Sequence, residues 1–144
     1  GIELSRMRRL KQNLAFALID LDHFKSVNDT YGHQTGDQVL KTLSSLLKQR
    51  LRMTDVIGRY GGEEFAVALP DIDSETAIRV IDEVREAFAQ IKHYHVSGDF
   101  SVTLSCGVAM YPDHDDVTTL TEAADKALYR AKEAGRNRVV LADG

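Results

Sequence analysis

The chain has 144 residues, of which 43% are hydrophobic and 28% are charged, a length that suits one domain with a substantial core and excludes two. Its formal net charge of -4 argues against a broad basic surface for nucleic acid but allows small anionic ligands. Its single cysteine, Cys106, excludes an intrachain disulfide, and no apolar run reaches the roughly 20 residues that span a bilayer. We therefore expect residues 1–144 to form one cytoplasmic domain without a membrane segment.

The first predicted element is a strand that ends in acidic residues. LAFALIDLD, residues 14–22, is apolar at both alternating sets of positions, which is typical of a central strand covered on both faces. Asp20 and Asp22 lie two residues apart and are expected on the same side of this strand. Carboxylates at the end of a buried strand need a counter-charge, because an unpaired charge in a low dielectric costs several kcal/mol or shifts its pKa.

A helix is predicted after this strand. From Gly36 onward, valine and leucine recur at intervals of three and four residues as far as Leu51, which is the period of an amphipathic helix. Thr35 and Gln38 have the spacing of a capping box, so we expect the helix to begin at this point.

Two short runs of β type, VIGRY and EFAVALP, follow the helix and flank two adjacent glycines. A two-residue connection through Gly61 and Gly62 predicts a hairpin, because glycine tolerates a positive φ at both positions. Glu63 and Glu64 are therefore expected at the hairpin tip. Two like charges at the mouth of a buried strand repel each other, so this position needs an explanation.

The second half of the chain continues the alternation of helices and strands. A helix is predicted from about Ser74 to Ile91, followed by a hairpin that turns near SGD and pairs HYHV with FSVTLSCGVAMY. A third helix, capped by Thr119 with Glu122, stops at Gly135 before a last strand, RVVLA. This order of elements predicts an α+β fold with a mostly antiparallel sheet and helices packed against it.

The acidic residues allow two interpretations. In the first, Glu63 and Glu64 are exposed to solvent on a hairpin and have no further role, because charged side chains usually lie at the surface. In the second, they converge with Asp20 and Asp22 around a divalent cation. Mg²⁺ suits such a site, because it typically binds through one or two carboxylates and substrate phosphates, and two such ions can organise an in-line phosphoryl displacement.

Four separated stretches carry a family resemblance: LIDLDHFKSVNDTYGHQTGDQVL, RYGGEEF, TLSCGVA and DKALYRAKEAGRNRV. In this order and at these intervals they resemble the GGDEF domains of diguanylate cyclases, from about Leu14 to Val140. The family signature is Gly-Gly-Asp-Glu-Phe or Gly-Gly-Glu-Glu-Phe, and residues 61–65 match the second form. The resemblance implies a palm-like nucleotidyl cyclase fold and an enzyme that condenses two GTP into bis-(3′-5′)-cyclic dimeric GMP, with release of pyrophosphate.

The resemblance also implies a metal site. Asp20 and Glu63 are expected to hold two Mg²⁺ ions per active site, which Mn²⁺ could replace, with help from the backbone after Leu21. Glu64 is expected either to complete the metal shell or to help deprotonate the attacking hydroxyl, and the pattern leaves these two roles open.

A GTP site is implied by the same resemblance. Asn28 and Asp37 match the guanine-binding pair, and an ionised carboxylate accepts the N1 and amino protons of guanine but repels the N1 lone pair of adenine. Taken alone, Asp37 would simply favour the helix dipole. The remaining matched positions are Gly61 and Gly62 at the backbone, Lys25, Lys132 and Arg136 on the triphosphate, Phe24 in the pocket, and Asp22, His23 and His33 in supporting places.

A second ligand site is expected at Arg52 and Asp55. These residues match an Arg-x-x-Asp motif that many diguanylate cyclases carry at this interval before the signature, where it binds the product and inhibits the enzyme. Arg79 or Arg85 is a candidate for a further contact. The alternative is an exposed ion pair at the end of a helix, worth at most about 1 kcal/mol.

Several questions stay open at this level. The main alternative to an active cyclase is a catalytically silent module that binds GTP or cyclic di-GMP, and a weaker one is a palm-like cyclase with another product. Because the product has two identical linkages, two GTP sites must face each other, so a transient two-fold homodimer is expected. The opening GIELSRMRR does not match the family's usual Asp-x-Leu-Thr-x-Leu-x-Asn-Arg segment. We expect an excised domain that follows a sensor or receiver domain, and an N-terminal region that could anchor the full-length protein to a membrane.

Overall fold

The structure is a computed structural model that describes residues 12–143. In chain order its elements are β1 (Leu14–Leu21), α1 (Phe24–Tyr31), α2 (His33–Arg50), β2 (Val56–Arg59), β3 (Glu64–Pro70), α3 (Ser74–Gln90), β4 (Leu104–Tyr111), α4 (Val117–Glu133) and β5 (Arg138–Leu141). The opening GIELSRMRR, on which the expectation about the family's first segment rests, lies outside the described residues. Among the described helices, none is long and apolar enough to cross a bilayer.

The strands form one sheet in the order β2-β3-β1-β4-β5. Every neighbouring pair is antiparallel except β4 and β5, which are parallel, so the predicted α+β class with a mostly antiparallel sheet is confirmed. The prediction that β1 is central is also confirmed, because β1 pairs along its length with both β3 and β4. Since β1 and β3 run in opposite directions, Asp20 at the end of β1 lies opposite Glu64 at the start of β3.

Helices cover both faces of the sheet. On one face, α1, α2 and α3 pack against the strands around Ile19, Phe65 and Cys106. On the other face α4 completes a smaller cluster, which consists of Leu14, Leu18, Ala109, Tyr111, Leu120, Ala124 and Leu128. The continuous apolar sequence of β1 follows from this arrangement, because a strand buried on both faces has no solvent side.

Gly107 in β4 lets α4 approach the sheet closely. A Cβ atom at this position would overlap the carbonyl oxygen of Ala124 and the backbone nitrogen of Leu128. Since these are backbone atoms of a packed helix, they cannot yield without a shift of α4 as a whole. Gly107 thereby sets the position of α4, whose C-terminal end carries Lys132.

The predicted helix boundaries need two corrections at the N-terminal side. Two helices follow β1 rather than one, and α1 went unpredicted although Phe24, Val27 and Tyr31 have helical spacing. The chain reverses at Gly32, whose φ of 92° suits glycine, and α2 starts immediately afterwards at His33. The predicted capping box at Thr35 is therefore wrong, because Thr35 lies inside α2.

The start of α4 also differs from the prediction. Its N-cap is Asp116, whose side chain accepts from the backbone nitrogen of Thr119, and the Thr119 side chain in turn accepts from the backbone nitrogen of Asp116. The predicted cap at Thr119 is therefore wrong by three residues, since Thr119 is the third helical residue of this capping box. The aspartate side chain reaches the free backbone N–H groups of the first turn as well as a threonine does.

Both predicted hairpins are less regular than expected. The connection between β2 and β3 comprises four residues, 60–63, rather than two, and neither Gly61 nor Gly62 has a positive φ. Tyr60 closes this turn with a hydrogen bond from its backbone nitrogen to the Glu64 carbonyl, at 2.9 Å. The second hairpin is reduced to an isolated bridge between His93 and Phe100, and the continuous strand begins only at Leu104.

Candidate active site

Three of the predicted metal ligands lie at one end of the sheet. Asp20 is the last residue but one of β1 and pairs with Glu64 in β3, and Glu63 precedes β3 in the four-residue turn. The backbone nitrogen of Leu21 lies 3.4 Å from the carbonyl oxygen of Glu63, so the turn is held against the end of β1. Antiparallel pairing thus brings together carboxylates that are more than 40 positions apart in the chain.

The Asp20 carboxylate is buried and only partly satisfied. The residue is 8% exposed, and its Oδ2 forms an ion pair with Nζ of Lys132 from the end of α4. Its Oδ1 has no hydrogen-bond partner among the described residues. The predicted counter-charge is therefore present, but one oxygen of the carboxylate still lacks a donor or a cation, which is a costly state for a buried polar atom.

The pKa of Glu64 reflects the charges in the same region. Burial is the largest cause that raises the pKa of Glu64, and the negative charge of Asp20 raises it further, whereas Lys132 opposes the change. The carboxylates at this end of the sheet therefore carry more negative charge than the neighbouring lysine compensates. A bound cation would relieve that repulsion.

The donor set at this end of the sheet fits Mg²⁺ rather than a metal that needs a complete cage of side chains. Within residues 12–143, no group of three or more histidine, cysteine, aspartate and glutamate side chains has the geometry of a metal site. Mg²⁺ needs fewer protein ligands, because it usually binds through one or two carboxylates and completes its shell with water and substrate phosphates. The unsatisfied Oδ1 of Asp20 is a carboxylate oxygen of the kind that such a shell uses.

Asp22 differs from Asp20 in that its carboxylate is fully engaged. Its Oδ1 accepts from Ser105 Oγ at 2.6 Å, and its Oδ2 accepts from Thr103 Oγ1 at 2.7 Å and from the Asn137 backbone nitrogen at 3.0 Å. Nη1 of Arg136 lies 3.8 Å from Oδ1. Each oxygen of the Asp22 carboxylate therefore has at least one donor within the protein.

The residues expected to bind guanine lie on the paired helices α1 and α2. Asn28 projects from α1 against Gly36, where a Cβ atom would overlap the Asn28 side-chain oxygen and crowd the ring of Phe24. Asp37 follows Gly36 directly and is exposed, as is Lys25 in the first turn of α1. Only glycine at position 36 lets the Asn28 side chain lie beside the turn of α2 that carries Asp37.

Arg52 and Asp55 lie at the other end of the β2–β3 hairpin. The Asp55 carboxylate accepts from the Arg52 backbone nitrogen at 2.7 Å and from Arg52 Nη2 at 2.8 Å, and Nη2 also donates to the Pro70 carbonyl at 2.7 Å. Pro70 ends β3 and Glu64 begins it, so about 20 Å of strand separates Arg52 from the carboxylates at the other end. Asp55 is almost fully buried, with a side chain 3% exposed, and the Arg52 side chain is 48% exposed.

A pocket next to Arg52 is bounded by the start of α3. Its lining includes Arg50, Arg52, Asp55, Thr76 and Val80. Arg79 and Arg85, the expected candidates for a further contact, do not line it. Arg79 lies 3.6 Å from Glu83, and Arg85 donates to Asp82 and to the Asn137 side chain.

Sequence reasoning missed three features around these sites. The close approach at Gly36 and the hydroxyl pair Thr103 and Ser105 were not identified, although the alternation of two hydroxyls before a buried strand was visible in SVTLSCG. Arg50 was also overlooked, because as the last residue of a helix it has the appearance of a charge that complements the helix dipole.

Comparisons with known proteins show the family of the chain. A family model described as diguanylate cyclase, GGDEF domain, matches residues 1–138. Diguanylate cyclase DgcP of Pseudomonas aeruginosa is 40% identical over 140 residues, which are 97% of this chain and 21% of that protein. The chain spans less than two fifths of the length of the first curated relatives that it matches.

Solved structures give the same result for the fold. The GGDEF domain of DgcB from Caulobacter crescentus, in complex with c-di-GMP, has a TM-score of 0.92 and 34% identity, with 97% of this chain and 84% of that chain covered. The active GGEEF domain of a diguanylate cyclase from Vibrio cholerae has a TM-score of 0.91 and 34% identity, with 97% and 89% covered. With its palm-like α+β fold and its GGEEF turn beside Asp20, the chain belongs to the GGDEF-domain family of diguanylate cyclases.

Proposed function

We propose that residues 1–144 form the catalytic domain of an active diguanylate cyclase, which condenses two GTP into bis-(3′-5′)-cyclic di-GMP and two pyrophosphates. In each half of the reaction the 3′-hydroxyl of one GTP loses its proton and forms a bond to the α-phosphorus of the other. The bond from that phosphorus to the pyrophosphate oxygen breaks. The observation that carries this proposal is the buried Asp20 Oδ1, which has no partner among the described residues and lies at the strand end facing the GGEEF turn.

Asp20 and Glu63 are the proposed ligands of two Mg²⁺ ions, or of Mn²⁺, with the Leu21 backbone beside them. When bound, these ions polarise the α-phosphate, lower the pKa of the 3′-hydroxyl and neutralise the leaving pyrophosphate. Glu64 adds negative charge at the same end of the sheet, and its raised pKa is compatible with a role as a proton acceptor as well as with metal binding.

Lys25, Lys132 and Arg136 are proposed to bind the triphosphate. Lys132 forms its ion pair with Asp20. In the proposed complex the phosphates would compete with Asp20 for this lysine, and Oδ1 of Asp20, which has no partner among the described residues, would be available to a metal ion. The backbone at Gly61 and Gly62 is open, because no packed atom closer than 3.7 Å surrounds a Cβ at either position.

Asn28 and Asp37 are proposed to select guanine over adenine. An ionised carboxylate at Asp37 accepts from N1–H and from the amino group of guanine, whereas adenine presents a lone pair at N1. Phe24 supports this pocket from the first turn of α1, where it is buried beside Gly36. Each chain has one such site, so two chains must meet around a two-fold axis to form both linkages.

Arg52 and Asp55 are proposed to bind the product and to mediate feedback inhibition. The buried Asp55 orients the Arg52 side chain, whose exposed part can donate to the O6 and N7 atoms of guanine. A ligand about 20 Å from the catalytic carboxylates cannot block them directly. Inhibition is therefore proposed to act by holding two domains away from the catalytic arrangement, and an upstream domain is proposed to supply the activating signal.

The function is tested by incubation of the protein with GTP and Mg²⁺, followed by chromatographic identification of the nucleotides. Cyclic di-GMP and pyrophosphate are expected in a ratio of one to two, and ATP in place of GTP is expected to give no cyclic dinucleotide. GTP binding without turnover, at protein concentrations high enough for dimers, would instead support the catalytically silent module.

A further inference from the structure

We propose that Asp22 is a positioning residue, which fixes the connection between α4 and β5 and thereby aims Arg136 at the triphosphate of GTP. The inference rests on the proposed function, since it takes Arg136 as a triphosphate ligand. It assigns to Asp22 a task distinct from that of Asp20, although the two aspartates are separated by a single residue.

The contacts of Asp22 join three parts of the fold. Its own backbone nitrogen donates to the Thr103 carbonyl at 2.9 Å, and its buried carboxylate accepts from Thr103, Ser105 and the Asn137 backbone. The end of β1, the start of β4 and the α4–β5 connection therefore meet on one side chain, which is 2% exposed. These bonds leave Asp22 no free oxygen comparable to Oδ1 of Asp20, which argues against Asp22 as a metal ligand.

The connection that Asp22 holds has an unusual backbone. Gly135, Arg136 and Asn137 follow one another with φ values of 124°, 66° and 47°, and the last two are not glycine. Residues other than glycine rarely adopt a positive φ, so this backbone conformation needs support from its surroundings. Support comes from two sides, because Asp22 accepts from the Asn137 backbone nitrogen and Arg85 Nη1 donates to the Asn137 side-chain oxygen at 2.8 Å.

Two cations lie close to this connection, Lys132 at the end of α4 and Arg136 in the connection itself. Lys132 contacts Asp20, and four residues later the Arg136 guanidinium lies 3.8 Å from Asp22 Oδ1. The Arg136 side chain remains 38% exposed, and a guanidinium has five N–H donors, so contact with Asp22 leaves donors for a phosphate. Two aspartates two residues apart thus anchor two cations four residues apart.

The substitution Asp22→Asn separates this role from a merely structural one. Asparagine has the same shape, and its oxygen can still accept from Thr103 and the Asn137 backbone while its NH₂ group donates to the Ser105 hydroxyl. What is lost is the negative charge beside Arg136. If Asp22 only stabilises the fold, Asp22→Asn should be less stable but should bind all ligands in the same proportion as the unaltered protein. If Asp22 positions Arg136, Asp22→Asn should lose affinity only for ligands that carry the triphosphate.

The experiment compares two ligands by calorimetry in the presence of Mg²⁺: 3′-deoxyguanosine triphosphate, which lacks the attacking hydroxyl, and guanosine, which lacks the phosphates. In Asp22→Asn the triphosphate is expected to bind about tenfold more weakly, with guanosine affinity unchanged. Arg136→Ala is expected to show the same pattern, and the double variant no further loss, because both changes remove one interaction. Glu122→Gln, at an exposed residue of α4, is the matched control and is expected to bind both ligands normally.

The outcomes distinguish this inference from the proposed function. If the unaltered protein does not bind the triphosphate, the proposed function fails and the inference fails with it. If it binds and Asp22→Asn binds equally well, or if the losses of the two single variants add, only the inference is overturned. Should Asp22→Asn not fold, Thr103→Val removes one hydrogen bond to Asp22 and keeps the charge. A smaller loss for the triphosphate alone is then expected, and equal losses for both ligands overturn the inference.

Discussion

Lys132 and Asp20 form an ion pair between the end of α4 and the end of β1, across 112 positions of the chain. The aspartate is buried, and its second oxygen has no hydrogen-bond partner among the described residues. One cation is therefore in place before any ligand binds. This pair accounts for the tolerance of acidic residues at the mouth of a buried strand, because the lysine offsets part of the charge and leaves room for a further cation.

Removal of charge at the metal site is expected to abolish turnover without loss of the fold. Asp20→Asn and Glu63→Gln each keep the size of the side chain and remove a proposed Mg²⁺ ligand, so the rate of cyclic di-GMP formation should fall by at least about 100-fold. Product is measured by chromatography, and circular dichroism checks the fold. Glu122→Gln serves as the control. Near-normal product formation by either variant, with an unchanged spectrum, would contradict the metal assignment.

Catalysis is expected to depend on association of two domains. Each chain has one proposed GTP site and the product needs two, so specific activity should rise with enzyme concentration while the dimer is only partly populated. The measurement is the initial rate per milligram of protein across a dilution series at saturating GTP. A constant value down to nanomolar protein would rule out transient dimerisation.

Arg52→Ala is expected to relieve product inhibition while initial GTP turnover persists. The side chain lies at the far end of the β2–β3 hairpin from Glu64, and its loss removes the donors proposed for guanine. Calorimetric affinity for cyclic di-GMP should fall about tenfold or more. Arg130→Ala, at another exposed arginine paired with an aspartate, is the control. Unchanged product affinity in Arg52→Ala would exclude this site.

Gly36→Ala is expected to impair nucleotide selection more than stability. The added Cβ overlaps the Asn28 side chain, which can rotate away because only its terminal atoms are in contact. Asn28 would then leave its place beside Asp37, and GTP affinity should fall by about tenfold. The control is Gly58→Ala in β2, where a Cβ meets no atom within 4 Å. If GTP affinity survives in Gly36→Ala, Asn28 does not bind guanine in this position.

Stability is expected to fall in mild acid because of His93. The residue is buried between the rings of Phe88 and Phe100, and burial lowers the pKa of His93 below its ordinary value of 6.5. As the pH falls through 6.5, the unfolded chain takes up a proton at His93 and the folded chain does not, so the free energy of unfolding decreases.

His93→Phe is expected to remove this part of the acid dependence, because phenylalanine cannot titrate. Denaturant unfolding from pH 7.5 to 5.5 measures the slope, and a change of the exposed Glu122 to glutamine, which leaves His93 in place, is the control. An equal slope in His93→Phe and the unaltered protein would show that His93 is not the cause.

Local patterns in the sequence were sufficient for most of the elements. The two-sided apolar run of β1 and the helical spacing within α3 and α4 depend on neighbours a few residues apart, so each could be predicted without knowledge of the rest. The order of the motifs around Gly61 and Glu63 likewise pointed to the family. Turns and helix starts were less accurate, because several residues near each boundary are capable of capping it.

Only the tertiary structure decided which charges meet. Asp20 and Asp22 are expected on the same side of one strand, yet Asp20 pairs with Lys132 and keeps an unsatisfied oxygen, while Asp22 is bonded to Thr103, Ser105 and the α4–β5 connection. Strand register and the close approach of α4 at Gly107 bring these partners together across more than 80 residues. Periodicity specifies which face a residue occupies, but the partner on that face depends on how distant elements pack.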